Sequence, residues 1–236
     1  MTGPRQAPID GLLETAVVAR TKRGTRGAAR IAVLGEFNSG KTTLVNAMLG
    51  ADVLPAGIAT RTDLPAVAQY GSRSSLSMKM ADGGRVSLPI EGLGQPPPAG
   101  ARQLHYRLPL ESLRRVSIVD TPAAGLEGTA IDPRIVQACR GADLLVWCTP
   151  AIQAWKHSEQ LLWLSLPAAL RKRGVLAITF ADQVALERDL DRLLTRLHAD
   201  AGPYFTDIII LANTLLPAGQ SVGSGGRKLR EKASQH

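Results

Sequence analysis

The sequence predicts an α/β fold in three layers, with a mostly parallel central sheet and helices on both faces. Three observations predict it. Short apolar runs of strand character alternate with helical stretches, which demands crossover connections and hence parallel strands. The octapeptide Gly35-Glu36-Phe37-Asn38-Ser39-Gly40-Lys41-Thr42 satisfies G-x-x-x-x-G-K-[ST] in full, with an apolar run before it and a helical one after it. Asp120 closes a further apolar run, Val116-Ser117-Ile118-Val119, where a metal-holding carboxylate belongs in such a fold. Together these are the marks of the P-loop NTPase fold.

The elements follow in order. Ile9, Leu12, Leu13, Ala16 and Val17 recur at helical spacing, so 9–22 reads as an amphipathic helix, broken by Gly24 and Gly27. Arg30–Leu34 is a short buried strand ending at Gly35, and Thr42–Leu49 is a helix stopped by Gly50. Leu64–Tyr70 reads as a strand, and Leu76–Met80 with Val86–Pro89 as a hairpin around Asp82-Gly83-Gly84. Residues 95–100, three of them consecutive prolines, form a loop. Strands follow at 116–119, 144–148, 175–179 and 208–211, with helices near 133–140, 158–172 and 184–198. Residues 1–29 therefore make an N-terminal helix and basic linker, 30–214 the nucleotide-binding body, and 215–236 a basic, flexible C-terminal tail.

A chain of 236 residues buries a full core without disulfide or metal staples. Its 44% apolar and 20% charged residues exclude wholesale disorder and collagenous or disulfide-rich scaffolds. No apolar run reaches the roughly 18 residues a membrane span needs, and Met1–Arg5 leads into no signal-peptide core. Cys139 and Cys148 sit in apolar runs without partners at metal-ligand spacing, so they read as buried thiols of a cytoplasmic protein. The net charge of +8 gathers at the ends: residues 1–30 carry +4 and 224–236 carry +3. Such an uneven spread favours basic ends that touch a polyanion over a basic groove through the body. Basic ends that merely aid solubility are the alternative.

The chemistry begins at the P-loop. Glycines let the successive N–H groups of Glu36, Phe37, Asn38, Ser39, Gly40, Lys41, Thr42 and Thr43 turn toward a phosphate, and the helix N-terminus adds its dipole. Lys41 would neutralise the β- and γ-phosphates, and the Thr42 hydroxyl with Asp120 would hold Mg²⁺. The expected D-x-x-G continues as Asp120-Thr121-Pro122-Ala123, with glycine displaced to Gly125. Were the fourth position to need φ > 0, Ala123 would be strained there. At the next strand end, Thr179-Phe180-Ala181-Asp182 is a T-x-x-D, where guanine-specific proteins carry [NT]-K-x-D. Asp182 could accept from the N1–H and exocyclic amine of guanine, and Phe180 could stack on the base in place of the lysine stem. Asn213 is a weaker candidate for closing the base pocket.

The run from Gly35 through Asn46-Ala47-Met48-Leu49-Gly50, continued by Val53-Leu54-Pro55-Ala56-Gly57-Ile58-Ala59-Thr60-Arg61-Thr62, resembles the dynamin superfamily, and bacterial dynamin-like GTPases in particular. The resemblance covers roughly residues 30–214. It implies a GTPase in which Thr62, or alternatively Thr60, ligates Mg²⁺ and holds the attacking water. It also implies pairing across the nucleotide face and action with an anionic membrane, at its inner face, or with a stalk-bearing partner subunit. Phe37 stands where many eukaryotic dynamins carry a water-orienting glutamine, and no glutamine follows Gly125; slow basal hydrolysis is expected. The expectation is a minimal G domain, or a subunit whose stalk lies on another chain.

Several readings stay open. The helix 9–22 lacks Trp and Phe, so it is either a shallow membrane anchor or a helix packed on the body. Ala154–Glu159 is either a loop capped by Ser158 or a partner surface facing the nucleotide. Rival functions are an RNA- or ribosome-associated GTPase, a non-hydrolysing nucleotide-dependent scaffold, and an ATPase. No RNA-binding motif supports the first.

Overall fold

The computed structural model describes residues 7–54, 64–89, 98–127, 130–184 and 187–211. The elements in chain order are α1 (Ala7–Lys22), β1 (Ala29–Leu34), α2 (Lys41–Leu49), β2 (Ala66–Tyr70), β3 (Ser75–Met80), β4 (Arg85–Leu88), β5 (Ala101–Leu108) and β6 (Val116–Asp120). There follow the short ribbon β7 (Leu126–Glu127) and β8 (Ala130–Ile131), then α3 (Pro133–Ala138), β9 (Leu144–Pro150), α4 (His157–Ser165) and α5 (Ala168–Arg171). The described elements end with β10 (Gly174–Thr179), α6 (Glu187–Asp200) and β11 (Asp207–Ile210).

Among the described residues, nine strands form one sheet in the order β11-β10-β9-β1-β6-β2-β5-β3-β4. The half from β11 to β6 is wholly parallel. β2 then runs antiparallel to β6, β5 parallel to β2, and the β3–β4 hairpin antiparallel to β5. The strands' two-residue period sorts their side chains into two cores. Ile31, Val33, Ile118, Val146 and Val175 face α1 and α2, meeting Leu12, Leu44 and Met48. Leu34, Val119, Leu145, Trp147 and Ile178 face the other helical layer, meeting Ile135, Leu162, Trp163 and Leu197. The three-layer α/β architecture is thereby observed.

α1 belongs to the first core, with Ile9 and Ala16 fully buried. Its far end is pinned by Asp143, whose buried carboxylate accepts from Arg23 (2.8 Å), Arg20 (3.2 Å) and the Arg30 backbone N–H (2.9 Å). Of the two roles left open for this helix, packing on the body is the arrangement observed, and its apolar face is already covered.

Three local differences from the sequence reading have simple causes. The helix expected over 158–172 is two helices, because Pro167 lacks an N–H and holds Leu166 extended at φ −69°, ψ 147°. β5 is an additional strand: Leu104, Tyr106 and Leu108 alternate with Gln103, His105 and Arg107, without the β-branched residues that usually announce a strand. Ser158 does not cap α4; Glu159 does the capping work instead, its Oε2 accepting the Lys156 N–H at 2.9 Å. The Asp82-Gly83-Gly84 turn forms as expected, with Asp82 Oδ1 accepting the Gly84 N–H at 2.8 Å. Among the described residues, no helix is long and apolar enough to cross a membrane.

Candidate functional site

The parallel strands β1, β6, β9 and β10 all end at one edge, where ligands bind in open α/β sheets. β1 leads into the P-loop through Gly35, at φ 147°. A Cβ there would lie 2.4 Å from the Cys148 carbonyl oxygen and 2.5 Å from Ser39 Oγ, so the close approach requires glycine. Asn38 and Gly40 also take left-handed conformations, at φ 56° and 81°, and α2 starts at Lys41 directly behind Gly40. Glu36 to Thr43 therefore lie together at the N-terminus of a nine-residue helix.

Lys41 is nearly buried, and its ammonium donates to the Glu36 carbonyl at 2.7 Å, folding the lysine across its own loop. Thr42 Oγ1 donates to Asp120 Oδ2 at 2.7 Å, joining the start of α2 to the end of β6. Burial pushes the Asp120 carboxyl up to about 6, against the hydrogen bond from Thr42 and the charge of Lys41. Its Oδ1 is buried without a hydrogen-bond partner. A hydroxyl and a carboxylate whose second oxygen is unpartnered are hard donors suited to Mg²⁺, so the residues fit that ion. Among the described residues no cluster of three His, Cys, Asp or Glu side chains could form a separate metal cage.

The segment after β6 closes against the P-loop. Thr121 Oγ1 donates to the Val33 carbonyl at 2.9 Å, and the Ala124 N–H donates to the Gly35 carbonyl at 2.9 Å. Ala123 is not among the left-handed residues; besides glycines, those described are Asn38, Trp155 and Phe180. The strain foreseen at Ala123 is thus not imposed by this conformation.

At the end of β10, Thr179 turns inward. Its hydroxyl reaches the Ser39 carbonyl at 2.9 Å and the Thr149 carbonyl at 3.2 Å, bracing the P-loop. Phe180 stands in a left-handed conformation with its ring against Gly40: a Cβ on that glycine would meet Phe180 Cε2 at 3.2 Å. Asp182 is exposed on the short turn Ala181–Gln183, which is tied back by the Ala181 N–H donating to the Leu211 carbonyl. Thr62, its alternative Thr60, and Asn213 lie outside the described residues, as does the 215–236 tail.

The residues that sequence reasoning left undecided form the support beneath this cradle. Lys156 Nζ lies 2.6 Å from Glu36 Oε2, and Ser158 Oγ donates to Glu36 Oε1 at 2.7 Å. Behind them Glu159, fully buried, accepts from Trp147 Nε1 (3.1 Å), Thr149 Oγ1 (2.9 Å) and Lys156 N–H (2.9 Å). Trp155 is buried rather than offered to a partner, at 5.0 Å from Phe205. The polar run 154–159 after a buried strand was the available signal; which loop it would meet lay only in the fold. Cys139 and Cys148 are buried free thiols, each pushed up to about 12 by burial.

A phosphate cradle at the carboxyl edge of a parallel sheet, with Thr42 and Asp120 poised for a metal, defines a P-loop nucleoside-triphosphate-binding protein. The dynamin family profile matches residues 31–179, and the chain belongs to that family. It is similar to Dynamin-like protein 2 of Campylobacter jejuni, 27% identical over 188 residues, covering 77% of this chain and 30% of the relative. It is similar also to the isoniazid-induced protein IniC of Mycobacterium tuberculosis, 32% identical over 100 residues, covering 39% of this chain and 20% of that protein. The chain thus spans less than a third of these relatives' length. Two solved structures of an oligomerised bacterial dynamin pair, described as a mechanism for long-range sensing and tethering of membranes, share the fold. Their TM-scores are 0.57 and 0.55 at 22% and 20% identity; 84% and 78% of this chain is covered, and 32% and 30% of those chains.

Proposed function

We propose that this chain is a dynamin-type G domain that binds GTP with Mg²⁺ and hydrolyses it slowly on its own. The observation that carries the reading is the 2.7 Å pair of Thr42 and Asp120 beside a complete P-loop. Amides of 36–43 receive the phosphate oxygens, and Lys41 exchanges its bond to the Glu36 carbonyl for the β- and γ-phosphates. Thr42 and Asp120 would hold Mg²⁺, which when bound neutralises charge on those phosphates. Asp182 reads the guanine edge, Phe180 covers the base, and Asn213 closes the pocket. Thr62 supplies the remaining metal and water contact.

Phe37 supports the low rate. Its side chain is 47% exposed on the P-loop and carries no group able to orient water. Pairing of two copies across the nucleotide, or a stalk-bearing partner at an anionic membrane, is the source of faster turnover and places the protein at the inner membrane face. The test is calorimetry with GTP and excess ATP. GTP uptake that ATP does not displace, abolished in Lys41→Ala, supports the reading; displacement by ATP removes the role of Asp182. Phosphate release that stays slow at high dilution and rises with protein concentration supports the coupling to pairing, and fast release at high dilution refutes it.

A further inference from the structure

Trp155 takes a left-handed conformation at φ 57°, which a bulky residue holds only where its surroundings over-determine it. We propose that the turn it makes positions the P-loop and that Thr149 is the positioning residue. The Thr149 hydroxyl fixes the Trp155 turn, and the turn delivers Lys156 to Glu36. This role rests on the nucleotide-binding reading above and deepens it.

The turn is built from its own short segment. β9 ends at Pro150, and residues Ala151–Gln153 carry the chain outward, with Ile152 and Gln153 exposed. The chain returns at Ala154, whose carbonyl accepts from Arg196 of α6 at 2.8 Å. Thr149 Oγ1 then closes the excursion: it accepts the Trp155 N–H at 3.1 Å and donates to Glu159 Oε2 at 2.9 Å. One hydroxyl thus ties the end of β9 both to the turn and to the first turn of α4. The Trp155 ring is seated 5.0 Å from Phe205 and 5.9 Å from Tyr204.

Lys156 is what the turn places. It leaves Trp155 extended, at φ −70° and ψ 159°, with its N–H on Glu159 Oε2 at 2.9 Å. Its ammonium meets Glu36 Oε2 of the P-loop at 2.6 Å. A lysine whose backbone is already fixed gives up less freedom in forming that pair. Thr149 reaches the same loop by a second route. Its carbonyl accepts from Thr179 Oγ1 at 3.2 Å, and that hydroxyl also serves the Ser39 carbonyl at 2.9 Å. Thr149 is fully buried. Valine there would keep the volume and the carbonyl but leave the Trp155 N–H without its acceptor and Glu159 without one of its donors.

The test is calorimetry of the full chain with GTP and, beside it, inorganic tripolyphosphate. Thr149→Val is expected to weaken both roughly two- to fivefold, the range set by the ion pair it frees. Thr149→Ser keeps the hydroxyl and should restore parental affinity. In a Glu36→Gln background Thr149→Val should add little, because both act through one contact; a threonine that only fills space would give additive effects. Should Thr149→Val not fold, hydrogen exchange on the unmodified chain decides. By reciprocity, bound nucleotide should slow exchange of the Trp155 and Lys156 amides. Unchanged exchange at both amides, equal affinity in Thr149→Val, no rescue by Thr149→Ser, or full additivity with Glu36→Gln would overturn the assignment. A parent chain that binds tripolyphosphate but not GTP removes the guanine reading, and the tripolyphosphate series then decides the role of Thr149. A parent that binds neither overturns both.

Discussion

Glu36 of the P-loop and Lys156 at the start of α4 are joined by a 2.6 Å ion pair, although 120 positions separate them in the chain. Ser158 completes the hold on the other carboxylate oxygen at 2.7 Å. The P-loop is thereby supported from outside by side chains, in addition to backbone bonds such as that from Ala124 to Gly35.

Breaking that support should loosen nucleotide binding without unfolding the protein. The pair is partly solvated, so its contribution is about 0.5–1 kcal/mol. Lys156→Ala and Glu36→Gln are each expected to weaken GTP binding roughly two- to fivefold. Their double variant should fall short of additive in a calorimetric cycle. Full additivity would show that the two groups act separately.

Glu159 anchors the layer beneath. Its pKa is raised by burial, against the hydrogen bonds from Lys156, Trp147 and Thr149. The folded chain then holds a proton more tightly than the unfolded chain. Stability from this group therefore declines as pH climbs from the ordinary carboxylate range through the raised value. Glu159→Gln should flatten that slope in thermal unfolding. It should also cost about 1–3 kcal/mol at neutral pH, because one amide cannot accept all three bonds. An unchanged slope would assign the pH dependence elsewhere.

Gly35→Ala is expected to abolish nucleotide binding. The added methyl meets a main-chain carbonyl oxygen 2.4 Å away, and neither it nor the buried Ser39 hydroxyl at 2.5 Å can retreat cheaply. A loss of about 2–4 kcal/mol in stability should accompany it. Denaturant unfolding read beside GTP calorimetry checks both.

His105 should titrate near 4, well below an ordinary histidine, in an NMR pH series. The unfolded chain binds the proton first, so stability falls as pH drops from about 6.5 toward 4. Allowing for the ring's partial exposure, the effect is about 1 kcal/mol. His105→Gln should remove it, and Lys79→Ala or Arg85→Ala should raise the ring's pKa by easing repulsion. A ring that titrates at its ordinary value would show that neither its burial nor the neighbouring Arg85, Lys79, Arg30 and Arg107 acts on it.

Much of the architecture is legible locally. The strand Arg30–Leu34 running into Gly35–Thr42 and then α2 is a contiguous motif whose backbone conformations are written in its glycines, and the structure places φ 147° and 81° at two of them. Asp120 could be picked out because it closes an apolar run, and the structure sets it 2.7 Å from Thr42. β5 could not be picked out as readily. Its Leu104–Leu108 alternation is stabilised by burial against β2 and β3, which is a property of the assembled sheet and not of the segment.

The sequence by itself determined the P-loop with Thr42 at its end, the strand that closes on Asp120, and the alternation of strands and helices, because each is written in residues close in the chain. Only the tertiary structure decided that Thr179 braces Ser39, that Lys156 and Ser158 clasp Glu36, and that α1 lies in the core. Those contacts join segments tens of residues apart, and strand order, which no local pattern encodes, brings them within reach.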